Sequence, residues 1–311
     1  MSFDPREFYL RAVDEIRRVV GEERAIAACS GGVDSTVSAI IAKRAIGDKL
    51  IPVYIDDGFR RIGEPENVIK LLRGIGLDVR FIDARKEFLD ALRGVRDAEE
   101  KRKIFRHVFY TVLGRVAREY GAKYLVQGTI AADVIETQRG IKTQHNVLKQ
   151  IGLDPRTYGF EVIEPLKDLF KPQVRELAKY LGLPKEIWAK MPFPGPGLMI
   201  RVVGEVTEEK LQIAKIANKI VEEELSEQNY FQVFAAVLSD KVTGVKEGSR
   251  VYGYAVVVRA VLSEDAMTAK AAEIPYDKLK RIAERIIREA PGVARVLYDI
   301  TDKPPATIEY E

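Results

Sequence analysis

Apolar side chains along residues 6–20 (REFYLRAVDEIRRVV) recur at Phe8, Val13, Ile16 and Val20, a spacing that predicts an amphipathic helix. The apolar run AIAAC at 25–29 predicts a short buried strand, and 33–46 predicts a helix. The alternation continues with strands at 50–55, 79–82 and 123–127 and helices at 64–75 and 97–120. Strands alternating with helices predict a parallel sheet covered on both faces. The pattern holds to about residue 190, where MPFPGPGLMIRVVGE carries three prolines and three glycines and reads as a domain junction. Beyond it the order changes: a strand at 199–206, a helix at 208–225, strands at 231–238 and 251–262, a helix at 275–289 and a strand at 293–300. That β-α-β-β-α-β order predicts a smaller α+β domain, so the expected division is 1–190 and 191–311.

The remaining bulk properties narrow the class. The 311 residues contain 46% hydrophobic and 31% charged residues, with a net charge of +3. Near-balance argues against a general nucleic-acid coat and leaves room for local phosphate sites. No apolar run approaches the roughly 18 residues of a membrane helix. The start, MSFDPREFYL, shows no signal-peptide pattern, so the expected location is cytoplasmic. One cysteine, Cys29, excludes an intramolecular disulfide and a cysteine-based zinc cluster within these residues.

The candidate chemistry begins at Ser30-Gly31-Gly32-Val33-Asp34-Ser35, at the exit of a predicted strand and the entry to a helix. Unpaired backbone N–H groups and the helix dipole favour an anion there. Two glycines let backbone approach it closely. Ser30 and Ser35 can donate to it, and Asp34 needs a cation between itself and a phosphate, or else caps the helix. The stretch lacks the Gly-Lys-Ser/Thr of one phosphate loop and the G-x-G-x-x-G of the dinucleotide fold.

SGGVDS instead resembles the PP-loop of the ATP pyrophosphatase superfamily, which implies an adenine nucleotide alpha hydrolase-like fold and ATP split to AMP and pyrophosphate. VYIDDG (53–58), KRKIFRHVF (101–109), LVQGTIAADVIET (125–137), IKTQHN (141–146), EPLKDLFKPQVRELAKYLGLP (164–184), PFPGPGLMIRVVGEV (192–206) and YDITDKPPATIEYE (298–311) are similar, in the same order, to the synthetase part of the GMP synthase family. That resemblance implies adenylation of XMP by ATP, then amination by ammonia to GMP. It implies a magnesium ion with Asp34 and Asp133 on its side; Asp56 is a further acid at a strand end. Lys171 is implied at the phosphates, and Val53, Tyr54, Ile55 and Gly128, with the PP-loop, are implied to line the adenine pocket. Residues 138–150 match a lid whose Lys142 and His145 serve adenylation; the family's His-His-Asn reads Gln144-His145-Asn146 here. Arg102, Gln232, Arg250, Lys303, Ile308 and Glu309 match XMP ligands, with Gly248 where the family's Gly-Asp-x-Arg has aspartate. His107 reads as structural.

The second domain is expected to make a homodimer, because the 251–262 strand is apolar over nearly its whole length. Only about 24 residues precede the first strand, and Cys29 lies within that strand by pattern, so no cysteine nucleophile is available. Ammonia is therefore expected from a separate glutamine amidotransferase subunit. NAD synthetase-like amidation and a non-catalytic nucleotide sensor are the alternatives; a sulfur transferase would need reactive cysteines.

Overall fold

The computed structural model describes residues 3–138, 154–189, 191–264 and 266–311. They form two compact units. The first comprises 1–56, 65–84 and 106–190, the second 57–64, 85–105 and 191–311.

The first unit is built on β1 (Arg24–Ala28), β2 (Leu50–Asp56), β3 (Arg80–Asp83), β4 (Ala122–Val126) and β5 (Glu161–Ile163), all parallel and ordered β3-β2-β1-β4-β5. Its helices are α1 (Pro5–Val20), α2 (Val33–Ile46), α3 (Glu64–Gly74), α5 from residue 106 on (Ala98–Tyr120 in all), α6 (Ala131–Gln138), α7 (Lys171–Tyr180) and α8 (Lys185–Trp188); α4 (Arg85–Ala91) and the start of α5 belong to the second unit. Asp4 caps α1 through Arg6 N and Glu7 N at 2.8 and 3.2 Å, and Phe8, Val13, Ile16 and Val20 are its buried stripe, as the spacing predicts. β2 is buried almost throughout, the signature of a strand covered on both faces. From β1 the chain runs outward to β3, then returns to place β4 on the other side of β1. The ends of β1 and β4 thus form the topological switch point, where ligands of such sheets bind.

The second unit holds α9 (Glu208–Glu224), β6 (Gln232–Lys246), β7 (Ser249–Leu262), β8 (Lys270–Ala271), α10 (Tyr276–Glu289) and β9 (Val293–Tyr298). β6 and β7 are antiparallel, and β9 adds parallel to β7. The 199–206 stretch forms a 3-10 helix at Gly197–Arg201 rather than a strand, followed by a single bridge from Val202 to Val237. Its side chains Leu198 to Arg201 are buried on every side, and an apolar run without alternation does not separate strand from helix. The apolar strand also finds its cover within the chain: Gly253–Val261 are buried. Tyr254 faces α9 through Glu209, and Arg259, on the opposite face, binds the 299–308 segment. Among the described residues no helix is long and apolar enough to cross a membrane.

Cys29 is buried at the end of β1, and burial pushes its thiol up to about 12. At pH 8 the native protein should resist iodoacetamide and react only once unfolded; alkylation of the native state at the rate of a free thiol would contradict this placement.

Candidate active site

β1 ends against the first turn of α2. The helix N-cap is Gly32, and no side chain caps it. Ser30 Oγ accepts from Gly32 N at 3.4 Å and lies 3.1 Å from Ser35 Oγ, which donates to Gly32 O at 3.1 Å. The serines therefore brace the loop, and no side chain among the described residues caps it, which leaves the first-turn N–H groups available to an external acceptor. Gly31 sits at φ +77°, and a Cβ there would meet Val68 at 2.7 Å. Gly128, just past β4, has a different constraint: a Cβ would meet the Asp34 carbonyl carbon and the Ser35 nitrogen at 2.7 Å. The backbone after β4 thus seats the start of α2, a reason for glycine independent of any adenine pocket.

Asp34 Oδ2 accepts from Lys171 Nζ at 2.5 Å, while Asp34 Oδ1 is buried with no hydrogen-bond partner among the described residues. Lys171 is the first residue of α7, whose entry is fixed by Phe170 N donating to Gln173 Oε1 at 2.8 Å. Burial raises the Asp34 pKa, Lys171 offsets part of that, and nearby Asp133 adds to it. Asp133 Oδ2 accepts from Ile130 N at 3.0 Å, so one of its oxygens already serves its own helix. An orphaned, buried carboxylate oxygen suits magnesium, which takes one or two protein carboxylates and fills its octahedron with phosphate oxygens and water. Among the described residues no cluster of three or more acids, histidines or cysteines forms an all-protein metal cage. Val53, Tyr54 and Ile55 are buried in β2, with Tyr54 stacked on Phe81; their side chains are sheet core. Asp56 is buried at the end of the same strand. Lys142 and His145 lie outside the described residues. His107 contacts Tyr158 at 3.3 Å, a packing role.

The second unit gathers another set. Glu309 Oε1 accepts from Arg201 Nη2 at 2.9 Å and from Gln232 Nε2, and Oε2 accepts from Arg201 Nε at 3.2 Å. Arg201 is fully buried, stacks on Phe193 and Phe234, and donates to Asn218 Oδ1 at 2.8 Å. Arg259, also fully buried, binds the carbonyls of Thr301, Thr307 and Ile308 and the Asp299 carboxylate at 2.8–3.0 Å. Lys303 donates to Ala266 O at 2.8 Å. Arg102 lies in the 85–105 segment of the same unit and pairs with Glu99. Arg250 stands apart. It is exposed at the hairpin tip opposite Val245, whereas Gln232 pairs with Val261 at the other end of β7. Eleven residue steps along the strand separate Arg250 from Val261, roughly 35 Å at the strand rise. One chain therefore joins Gln232 and Glu309 and leaves Arg250 remote from them. Arg201, Arg259 and Lys101 carry much of this geometry, and sequence patterning does not single them out.

An uncapped glycine-rich helix start at the switch point of a 3-2-1-4-5 sheet, with an open buried aspartate and a helix-borne lysine, defines a PP-loop nucleotide-binding enzyme. The family models described as "GMP synthase C terminal domain" and "NAD synthase" match residues 218–310 and 158–232. A subunit of "GMP synthase [glutamine-hydrolyzing]" from Archaeoglobus fulgidus is 55% identical over 99% of this chain and 100% of its own length. The corresponding subunits from Methanopyrus kandleri and Pyrococcus abyssi are 52% and 53% identical, over 99% and 98% of this chain and 100% and 99% of their own lengths. Among solved structures, an NMN synthetase from Francisella tularensis is similar at 21% identity, covering 64% of this chain and 79% of its own, with a TM-score of 0.49. The chain belongs to this family of GMP synthase subunits.

Asp34→Ala should reduce ATP-dependent pyrophosphate release at least about a hundredfold and leave the unfolding midpoint nearly unchanged. Wild-type release at saturating magnesium would reduce Asp34 to a structural acid. The raised Asp34 pKa also sets a direction with pH. Nucleotide binding that needs the ionised form should fail on acidification above the ordinary aspartate value of about 4. Lys171→Met removes the offsetting cation and should move that failure to higher pH; a shift to lower pH would reverse the assignment.

Proposed function

We propose that the chain is the ATP pyrophosphatase subunit of a two-subunit GMP synthase and adenylates XMP before aminating it. The observation that carries the reading is the open Asp34 Oδ1 beside Lys171 at an uncapped helix start. In this reading the α2 N–H groups, Ser30 and Ser35 hold the β- and γ-phosphates, and Lys171 faces the leaving charge. Asp34 Oδ1, with Asp133 as the second acid, would hold magnesium, which would neutralise phosphate charge. The enolate oxygen on C2 of XMP attacks the α-phosphorus; the new P–O bond forms as pyrophosphate leaves with its electron pair. Ammonia then adds at C2, a proton is lost, and AMP departs with the former C2 oxygen. The lid residues Lys142 and His145 are assigned to adenylation on the resemblance alone. Glu309 takes a purine ring N–H, Gln232 and Ile308 support the base, and Lys303, Arg102 and Arg250 take phosphate charge. The setting is cytoplasmic. Amidation of a carboxylate, as in NAD synthetases, is disfavoured by the tail set around Glu309 and by relatives above 50% identity that carry a different name.

Nitrogen comes from a separate glutamine amidotransferase subunit, because the one cysteine here is buried and non-nucleophilic. Purified chain should therefore form GMP from ammonium and not from glutamine; glutamine-dependent synthesis by the chain alone would overturn the two-subunit reading.

The functional unit is a homodimer in which the partner copy supplies Arg250. Two observations support this: Arg250's distance from Gln232, and the exposure of Val245 and Tyr252 on the face that Arg250 shares. Arg250→Ala and Glu309→Gln chains should each be weak alone. Mixed in equal amounts with exchange, they should recover about a quarter of wild-type activity, since half the dimers hold one intact site of two. No recovery, or a monomer by light scattering at micromolar concentration, would contradict it.

A further inference from the structure

We propose that Arg201 and Lys101 are positioning residues that hold the 307–311 segment so that Glu309 presents one free acceptor site to the nucleobase; this rests on the XMP reading above. A carboxylate offers about four acceptor positions. Arg201 fills two through its fork and Gln232 a third, which leaves room for one ring N–H donor. The fork fixes the plane of the carboxylate as well as its place, which a lysine cannot do.

Arg201 itself has no freedom to follow Glu309 elsewhere. It is fully buried, sandwiched against Phe193 and Phe234, and tied to Asn218, which also accepts from Ala235 N at 3.1 Å and donates to Ala235 O and Ala214 O at 2.8 Å. Glu309 is thus referenced to β6 and α9 through two side chains. Burying a guanidinium carries a large desolvation cost, and an apolar residue of similar volume would usually serve stability as well. Retention of the charge fits a demand for geometry.

Lys101 acts at the far end of the same segment. Its ammonium is buried, donates to Val202 O and Gly204 O at 2.8 and 2.9 Å, and pairs with the Glu311 carboxylate, whose Oε1 accepts from Gly204 N at 2.8 Å. Lys101 is the neighbour of Arg102, and Glu311 lies two residues beyond Glu309. The pair therefore ties the α5 turn that carries Arg102 to the segment that carries Glu309. Arg259 grips Thr307 and Ile308, ahead of both anchors along the chain.

The test uses the purified full chain with ammonium as nitrogen donor, and reads KM for XMP and for ATP separately, with calorimetric binding of XMP as a second readout. Arg201→Lys should keep the charge, lose the fork and weaken XMP about 30-fold, with ATP within about twofold. Glu311→Gln should weaken XMP by a smaller factor in the same sense. Added to Glu309→Gln, either change should cost little more, because the carboxylate they place is already gone. Unchanged XMP affinity in a folded Arg201→Lys, equal losses for both substrates, or full additivity with Glu309→Gln would overturn the positioning role. If Glu309→Gln by itself leaves XMP binding intact, the nucleotide-site reading fails instead. Should Arg201→Lys not fold, Glu311→Gln decides by the same criteria.

Discussion

The PP-loop of the first unit depends on one close backbone approach, the seating of the first turn of α2 on Gly128. A side chain at 128 would come within 2.7 Å of the Asp34 carbonyl carbon and Ser35 nitrogen. That contact fixes where the uncapped N–H groups point. Asp34, in that same turn, is buried, which raises its pKa, and Lys171 offsets part of the rise. The parallel sheet supplies the rest: β1 and β4 end side by side only because the chain reverses direction across the sheet there. Loop, acid and lysine therefore follow from topology plus one glycine contact.

The second unit works by a different rule. Its Glu309 carboxylate sits on a segment without regular structure, and such segments fray unless tied down. Three fully buried cations, Arg201, Arg259 and Lys101, do the tying. They bind carboxylates and carbonyls of residues 299–311, so the tail is fastened by charge-assisted hydrogen bonds rather than by a strand ladder.

Much of this was legible in the sequence, and the failures have physical causes. Periodicity located α1, β1, α2, β2 and the long α5, because each presents a clear apolar stripe or run. The PP-loop was legible because glycines, hydroxyls and an acid at a strand exit have few other uses. β5 is three residues long and carries too little pattern to find. The 199–206 stretch reads as a strand because a fully buried 3-10 turn shows no alternation. The apolar β7 implied a missing cover; the cover is the 299–308 segment, which no local pattern assigns to that face. Arg201, Arg259 and Lys101 escaped because charged residues are ordinarily at the surface, and most of the partners that explain their burial lie far along the chain. Arg250 and Glu309 match one ligand set in sequence, yet strand register separates them within a single chain.

Everything proposed for the two units converges on one event, transfer of an adenylyl group onto the C2 oxygen of XMP. The direct measurement supplies XMP carrying heavy oxygen at C2, with ATP, magnesium and ammonium, and weighs the AMP produced. The expected result is that the heavy oxygen leaves XMP and appears in the AMP phosphate, one label per GMP formed. AMP without label, or pyrophosphate released with the label retained on the purine, would contradict it.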